Sequence, residues 1–335
     1  MPEGSAGVAV FGASGYAGAL AAHLLWRHPF FDLVAVTSRT DAGRRLHELY
    51  PRYRVPLTLQ MGDVESLDDV DAALVAYPHG ASAPVVAALR ERGARVVDLS
   101  ADFRLRDLDR YERWYGSHGA PALLDGAVYG LTELRRDRVA AADLVANPGC
   151  YPTAALLALA PLARAGAIAD VVVDAKSGVS GAGREANQTT HFVSADENVS
   201  PYGVAGHRHA AEIDQELDAL GAPVRATFVP HLLPLDQGEL VSCYVTPRRE
   251  LDDVELRELY VEAYGDEPFV ELAEGPPGVR DVRDTNICRM SVHADGRSPR
   301  LMVFAAIDNL WKGAASQAVQ NLNLMFGRPE GEGIS

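Results

Sequence analysis

Cys150 is the residue whose type and setting best suit nucleophilic chemistry. It follows a Pro148-Gly149 break and stands directly before an Ala/Leu-rich run, 153–165, with the length and composition of a helix. The pattern predicts Cys150 at or just before a helix N-terminus, where unpaired N–H groups and the helix dipole stabilise a thiolate and can receive a negatively charged oxygen. The alternative is a buried structural thiol, the commoner state of a cysteine.

Two histidines and a glutamate further along the chain offer the proton transfer that a thiolate needs. His207 and His209 are followed by Glu212. If a helix begins at His209, then His209 and Glu212 share one face, and the carboxylate can orient the imidazole and raise its basicity. We expect His209 to be the acid/base group, with His207 as the alternative; two solvated histidines would have no catalytic role. No third ligand is spaced for a metal, so no metal site is predicted.

The N-terminal segment has the pattern of a dinucleotide-binding unit. A short apolar strand at 8–11 leads into a glycine turn and then an apolar-periodic stretch to about residue 27. The glycines allow the tight turn, the approach of a pyrophosphate and the close packing of helix on strand. The cofactor contacts expected in this turn are Gly12, Ser14, Gly15, Tyr16 and Gly18.

The second strand indicates which nicotinamide cofactor is bound. It covers 33–37 and ends in Ser38 and Arg39, with no acidic residue where a ribose 2′-hydroxyl is usually held. A hydroxyl and a guanidinium suit a 2′-phosphate, so the predicted cofactor is NADP(H). Two ordinary loop residues are the alternative.

Strands and helices then alternate, which is typical of a doubly wound parallel sheet. A strand at 72–77, a helix at 81–92 and a strand at 95–98 are followed by a strand at 144–146 that leads to Cys150. The loops at 78–82 and 100–104 follow strand ends, where ligands bind in such sheets. Pro78 is therefore expected beside the cofactor, and Arg104 is a candidate anion contact or a surface ion pair.

From residue 168 the pattern changes to an α+β domain with antiparallel pairing. Its glycine-rich loop at 177–184 could surround a small polar ligand with backbone N–H groups, or be a plain flexible turn. Ser177 is expected at the substrate, and Ser180 and Gly181 at the cofactor. The expected strands cover 171–175, 227–229, 240–246, 286–292 and 301–307, and the expected helices 209–220 and 252–264.

The last helix, 310–328, is expected to join the nucleotide-binding domain. Residues 1–147 are then a Rossmann domain, 148–309 a catalytic and oligomerisation domain, and 329–335 a flexible tail. Lys312 could serve an anionic substrate, or could simply begin the final helix.

Composition limits the partners. The chain has 335 residues and a net charge of −15, which opposes binding to nucleic acid or anionic membranes. No apolar stretch is long enough for a membrane helix and no signal peptide is recognisable, so a soluble cytoplasmic protein is expected. The three cysteines are far apart, as in a reducing compartment. Together, a thiolate and a reduced nicotinamide can interconvert an acyl group and an aldehyde through a thioester.

Nine stretches in order along the chain resemble the N-acetyl-γ-glutamyl-phosphate reductase family, within the wider aspartate-semialdehyde dehydrogenase superfamily. They begin at residues 12, 78, 98, 128, 147, 176, 206, 228 and 308, and they read GASGYAG, PHG, DLSADFRL, VYGLTE, NPGCYPT, KSGVSGAGR, GHRH, FVPHL and DNLWKG.

The resemblance implies a fold, a reaction and site residues. The fold is a Rossmann domain plus a C-terminal domain of the glyceraldehyde-3-phosphate-dehydrogenase type that forms a dimer or tetramer. Cys150 would attack an acyl phosphate, NADPH would reduce the thioester, and His209, oriented by Glu212, would transfer protons in arginine biosynthesis. The family pattern also assigns substrate or phosphate contacts to Arg104, Asn147 and Lys312, and His207 is a further expected substrate contact.

One departure from the family pattern leaves the acyl group open. After residues 230–232 the family usually continues Thr-Arg-Gly, whereas this chain has Asp236 and Gln237 before Gly238. A relative that reduces an aminoadipyl or glutamyl phosphate on an acidic carrier protein is the alternative, and the charge of −15 favours the free substrate. A non-catalytic NADP-binding regulator is a third hypothesis.

Overall fold

The computed structural model describes residues 5–67 and 70–334, and the chain divides into two compact units. The first contains Met1–Pro148 and Ala314–Ser335, and the second contains Gly149–Gly313. The units divide after Pro148 and after Gly313. The sequence placed these two boundaries after residues 147 and 309, which is one and four residues earlier.

The first unit is built on six parallel strands in the order β2-β1-β3-β4-β6-β5. The strand order reverses between β1 and β3, which is where such sheets bind ligands. The predicted doubly wound sheet is confirmed. The strands are β1 (Ala6–Phe11), β2 (Phe31–Val36), β3 (Ala72–Val75), β4 (Arg95–Asp98), β5 (Val128–Tyr129) and β6 (Leu144–Ala146).

The glycine turn after β1 brings the first helix close to the strand. Gly12 has φ +80°, which favours glycine, and a Cβ added at Gly18 would lie 2.3 Å from the Gly12 carbonyl oxygen. Only glycine at position 18 allows this approach. The helices of the unit's N-terminal segment are α1 (Tyr16–Trp26), α2 (Leu46–Leu49), α3 (Ala83–Glu91), α4 (Leu108–Tyr115) and α5 (Thr132–Ala140).

The second unit contains a seven-stranded mixed sheet in the order β11-β12-β13-β10-β7-β9-β8. Strand β10 is antiparallel to both β7 and β13, whereas β7 and β9, like β11 and β12, run parallel. The sequence predicted antiparallel pairing, which is wrong for β7 and β9 because a long crossover joins them. It predicted no strand at the position of β11. The strands are β7 (Ile168–Gly178), β8 (Ser200–Pro201), β9 (Thr227–Leu233), β10 (Glu239–Pro247), β11 (Val270–Leu272), β12 (Cys288–Ala294) and β13 (Leu301–Ile307).

A central helix, α6 (Cys150–Arg164), contacts β10, β13 and α8 (His209–Ala219). Its residues 151–163 are all buried, as expected of a helix that is apolar on every side. Pro161 cannot donate to the Leu157 carbonyl, but the Tyr264 hydroxyl donates to that oxygen at 2.7 Å. The helix therefore continues through its proline. The remaining helices of this unit are α7 (Phe192–Ala195) and α9 (Asp253–Tyr264).

The C-terminal segment consists of a π-helical turn, Trp311–Ala315, and α10 (Ser316–Met325), which contacts α1 and α5 of the first unit. Besides its apolar face, α10 buries polar side chains that bond to the domain: Asn321 Nδ2 donates to the Gly130 carbonyl at 2.8 Å, and Asn321 Oδ1 accepts from Thr132 Oγ1 at 2.8 Å. None of the helices within 5–67 and 70–334 is long and apolar enough to cross a membrane.

Residues 329–334 differ from the flexible tail expected from the sequence. His28 Nε2 donates to the Glu332 carbonyl at 2.8 Å, Asn323 Nδ2 donates to the same oxygen at 2.8 Å, and Ile334 is buried. Side chains of the domain thus bind the tail's carbonyl groups, a long-range interaction that the polar composition of the tail does not reveal.

Candidate active site

Cys150 is the first residue of α6, and Gly149 is its N-cap in an extended conformation. The thiol is partly exposed, and the first turn of the helix contains no acidic residue. The Thr153 N–H donates to the Gly149 carbonyl at 2.9 Å, which closes this turn. The positive end of the helix dipole can stabilise negative charge at sulfur or at an oxygen bound beside it.

Helix α8 begins at His209 and presents Glu212 in its first turn. The buried Glu212 Oε1 accepts a hydrogen bond from the Gly149 backbone N–H at 2.9 Å. This contact fixes the backbone immediately before Cys150. The sequence predicted that Glu212 orients His209. In the structure Glu212 bonds directly to the segment that carries the nucleophile.

The two candidate histidines lie together in an aromatic cluster. The rings of His207 and His209 are 4.8 Å apart, and the Tyr151 ring lies 5.9 Å from the first and 5.8 Å from the second. Burial, and then the charge of Arg208, lowers the pKa of His207 to about 4, so this imidazole is neutral at physiological pH. Its Nδ1 accepts a hydrogen bond from the His209 backbone N–H at 3.2 Å. His207 is therefore a poor proton donor at that pH.

Gly313 packs directly against Cys150, a contact that the sequence did not reveal. A Cβ at position 313 would lie 2.8 Å from the Cys150 Cβ and 3.3 Å from its Cα. The neighbouring Lys312 is fully buried, with its ammonium 5.6 Å from the centre of the Phe269 ring. The ammonium is therefore within range of a cation–π contact with this ring.

The glycine-rich loop after β7 is held in place by the segment before β10. The Ser180 N–H donates to the Asp236 carbonyl at 3.0 Å, and Ser180 Oγ accepts from Asn309 Nδ2 at 3.0 Å. Ser177 is buried, with Oγ donating to the Gly178 carbonyl at 3.2 Å, whereas Gly181 is exposed. The two serine hydroxyls therefore contribute to the shape of the loop.

The departure from the family pattern lies partly inside a buried network. Gln237 Nε2 donates to Asp284 Oδ1 and to Asp308 Oδ2, both at 2.8 Å. Asp236 is exposed and pairs with Arg283 at 3.1 Å. Gln237 thus holds together two carboxylates of its own unit.

Glu239, the first residue of β10, is an acidic residue that the sequence analysis missed. It is fully buried, and burial raises its pKa to about 8, with the Cys150 side chain acting in the opposite direction. The signal was an isolated acidic residue directly before the apolar run of 240–246.

The first unit contains the predicted nucleotide contacts. Gly15 is the N-cap of α1, and the first turn of this helix has no acidic residue. Ser38 is buried and bonds Ser14 Oγ at 2.8 Å, and it accepts the Asp41 N–H at 3.0 Å. Arg39 is exposed, its guanidinium 4.5 Å from the centre of the Tyr77 ring. The tight turn and the exposed arginine fit a phosphorylated dinucleotide, with Ser38 shaping the loop.

Other predicted residues of this unit have different surroundings. Pro78 is exposed after β3, as a cofactor contact must be. Arg104 is buried, and it donates to the Asn147 carbonyl at 2.7 Å and the Leu99 carbonyl at 2.8 Å. Asn147 Nδ2 donates to the Ala314 carbonyl at 3.1 Å. Both side chains therefore hold the backbone before Cys150 in the sequence.

No group of three or more His, Cys, Asp or Glu residues in the described part of the chain is arranged to hold a metal ion. Cys150, Cys243 and Cys288, which all lie in that part, form no disulfide.

Comparison with known proteins shows which family the chain resembles. The model described as "Semialdehyde dehydrogenase, NAD binding domain" matches residues 7–142, and "Semialdehyde dehydrogenase, dimerisation domain" matches 150–309. The N-acetyl-gamma-glutamyl-phosphate reductase of Moorella thermoacetica is 48% identical over 332 residues, covering 96% of this chain and 95% of that protein. The enzyme of the same name from Halorhodospira halophila is 49% identical over 336 residues, covering 98% and 97%.

The chain belongs to the N-acetyl-γ-glutamyl-phosphate reductase family. The resemblance inferred from the sequence motifs is thus confirmed.

Solved structures support the fold. Aspartate semialdehyde dehydrogenase II from Vibrio cholerae, complexed with ASA, has a TM-score of 0.74 at 22% identity, covering 96% of this chain and 98% of that one. Aspartate semialdehyde dehydrogenase with NADP from Candida albicans has a TM-score of 0.73 at 13% identity, with coverages of 96% and 98%.

Proposed function

We propose that this protein is an NADPH-dependent acyl-phosphate reductase. It converts N-acetyl-γ-glutamyl phosphate into N-acetylglutamate 5-semialdehyde and phosphate, a step of arginine biosynthesis. The observation that carries the proposal is the partly exposed Cys150 thiol at the N-terminus of α6, with Glu212 bonded to the same helix end, in a chain whose relatives of this name match nearly its whole length.

The Cys150 sulfur attacks the acyl carbon and forms a thioester as the carbon–oxygen bond to phosphate breaks. The N–H groups at the start of α6 stabilise the oxyanion that develops. NADPH, when bound, supplies the hydride that reduces the thioester. Breakage of the carbon–sulfur bond then releases the aldehyde and returns the electron pair to sulfur.

His209 is the acid in this scheme. It donates a proton to the departing phosphate oxygen and regains one from water, which accounts for the proton that the overall reduction consumes. His207, with its low pKa, stays neutral and fixes the His209 backbone. Glu212 keeps Gly149, and hence the start of α6, in position.

We assign NADP(H) binding in the first unit to Gly12, Ser14, Gly15, Tyr16, Gly18, Ser38, Arg39 and Pro78. Arg39 is the exposed cation of this set and is assigned to the 2′-phosphate. Cofactor contacts by Ser180 and Gly181, and substrate contacts by Ser177 and His207, stay predictions. For Arg104, Asn147 and Lys312, burial favours a positioning role.

We further propose a homodimer formed through the second unit, which the dimerisation-domain model matches over 150–309. Light scattering should give twice the chain mass of 35.9 kDa, and four times that mass would indicate a tetramer.

The decisive assay is reduction of NADP with N-acetylglutamate semialdehyde and inorganic phosphate. Phosphate-dependent NADPH formation is expected for the wild type and should disappear in Cys150→Ser, while His209→Asn should reduce it by about 10²–10⁴-fold. Activity confined to a carrier-bound semialdehyde would overturn the proposed substrate. Absence of activity with both substrates would support the non-catalytic regulator.

A further inference from the structure

Glu239 is a buried carboxyl group beside the nucleophile for which the scheme above has no use. It is the first residue of β10 and is completely inaccessible to solvent. The Cys150 side chain stabilises its charged form, and within the described residues no other donor reaches either carboxyl oxygen. Burying a carboxyl group without a dedicated backbone or side-chain donor lowers the stability of the fold. The presence of such a group beside the nucleophile therefore points to a function.

The sheet register places Glu239 on the same face as the thiol. Glu239 pairs with Ile307 of β13, and residues directly opposite in a sheet project to the same side. The Ile307 side chain lies 3.3 Å from the Cβ position of Gly313, which in turn is 2.8 Å from the Cys150 Cβ. Glu239, Ile307 and Cys150 therefore meet at the start of α6.

We infer that Glu239 is a second catalytic acid/base group, which accepts the proton of the Cys150 thiol during attack and returns it when the sulfur departs. This inference rests on the proposed function. It goes beyond that function because it divides proton transfer between two residues, with His209 acting on phosphate and Glu239 on sulfur.

The proton transfer balances at each step. The S–H bond of Cys150 breaks as an O–H bond forms on Glu239, and the sulfur electron pair attacks the acyl carbon. After reduction, the carbon–sulfur bond breaks, its electron pair returns to sulfur, and the Glu239 O–H proton follows. The pair begins and ends each cycle with one proton, which is the state it enters when the first of its two protons leaves near pH 8.

The proton affinity of Glu239 suits this exchange. Its pKa is raised to about 8, mainly by burial and further by the charge of Asp308. The Glu239 carboxylate is therefore a much stronger base than an ordinary glutamate, as an acceptor of a thiol proton must be. Tyr151 and Tyr202 also interact with Glu239, but burial raises the pKa of both phenols well above the ordinary value, so they stay neutral.

The test is the pH dependence of Cys150 alkylation by iodoacetamide, which needs neither substrate nor NADPH. Because Cys150 and Glu239 repel each other when both are charged, the wild type should lose the two protons of the pair in separate steps, one near pH 8 and one higher. Two steps are expected again in His209→Asn, which removes the imidazole assigned to the phosphate. In Glu239→Gln a single step is expected.

Turnover provides the second measurement. Glu239→Gln should reduce kcat by about 10²-fold or more, whereas Glu216→Gln, which alters a buried glutamate bonded to Gln215, should change it little. A single alkylation step in the wild type and in His209→Asn would overturn the inference, as would two steps persisting in folded Glu239→Gln. If two alkylation steps occur but the free acyl phosphate is not reduced, the proposed substrate fails while the proton-sharing pair stands.

Discussion

Replacing Gly313 with alanine should displace the nucleophile. The added methyl group would lie 2.8 Å from the Cys150 Cβ, 3.3 Å from the Cys150 Cα and 3.3 Å from Ile307 Cδ1. Carbon atoms in contact are ordinarily about 3.5–4.0 Å apart, so Cys150 or residue 313 must move by roughly 0.7–1.2 Å. Backbone on one side and a buried isoleucine on the other leave the methyl group no open direction.

The size of the effect follows from that displacement. A misplacement of about 1 Å can reduce a rate by about 10²-fold, so we expect kcat/KM of Gly313→Ala to fall by about 10- to 100-fold. Overpacking should also lower the free energy of unfolding by about 1–3 kcal/mol. NADPH binding should be retained, because the predicted nucleotide contacts of the glycine turn belong to the other unit.

Three measurements on Gly313→Ala test this reasoning together: steady-state reduction, the rate of Cys150 alkylation, and NADPH fluorescence titration. Gly296→Ala is the matched control in the same unit, because its added Cβ would have no atom within 4 Å. A Gly313→Ala enzyme whose kcat/KM lies within about twofold of the wild type would show that Cys150 does not need its observed position.

Three further substitutions test the scaffold. Tyr264→Phe removes the hydroxyl that bonds the Leu157 carbonyl at 2.7 Å and should lower the free energy of unfolding in urea by about 1–3 kcal/mol. Gly18→Ala should abolish NADPH binding by fluorescence titration or prevent folding, because its Cβ would meet a carbonyl oxygen at 2.3 Å; Gly126→Ala, with no atom within 4 Å, is the control. Burial raises the pKa of Asp98 to about 6, so the folded protein holds an extra proton and loses stability as pH rises through about 4–6. The unfolding free energy of Asp98→Asn relative to wild type should therefore increase by about 3 kcal/mol over that window.

The features that the sequence predicted well depend on local patterns. The strands at 95–98, 144–146 and 301–307 match the structure residue for residue. Short apolar runs between turns define such strands, and the glycine turn before α1 has a fixed spacing. The position of Cys150 at a helix start followed from a similar local signal, the Pro-Gly break.

The features that the sequence did not predict depend on partners distant in the chain. Strands β7 and β9 run parallel because of a long crossover between them, and Gly313 meets Cys150 from the far end of the second unit. No local period encodes such contacts. The apolar pattern of α10 likewise gave no indication that Asn321 and its polar neighbours bind the first unit.

Residue type alone also fails to separate structural from catalytic charges. Arg104 was expected to be an anion contact or a surface ion pair; in the structure it is buried and donates to two backbone carbonyl groups. Glu239 was not predicted as a site residue from the sequence. It is buried, and within the described residues its carboxyl oxygens accept no backbone hydrogen bond. Both side chains are buried, but they differ in their hydrogen bonds. Arg104 donates to backbone carbonyl groups, whereas the Glu239 oxygens have no such backbone partner among the described residues. A guanidinium that holds main-chain carbonyls stabilises structure, whereas a carboxyl group left to a thiol has a proton to exchange with it.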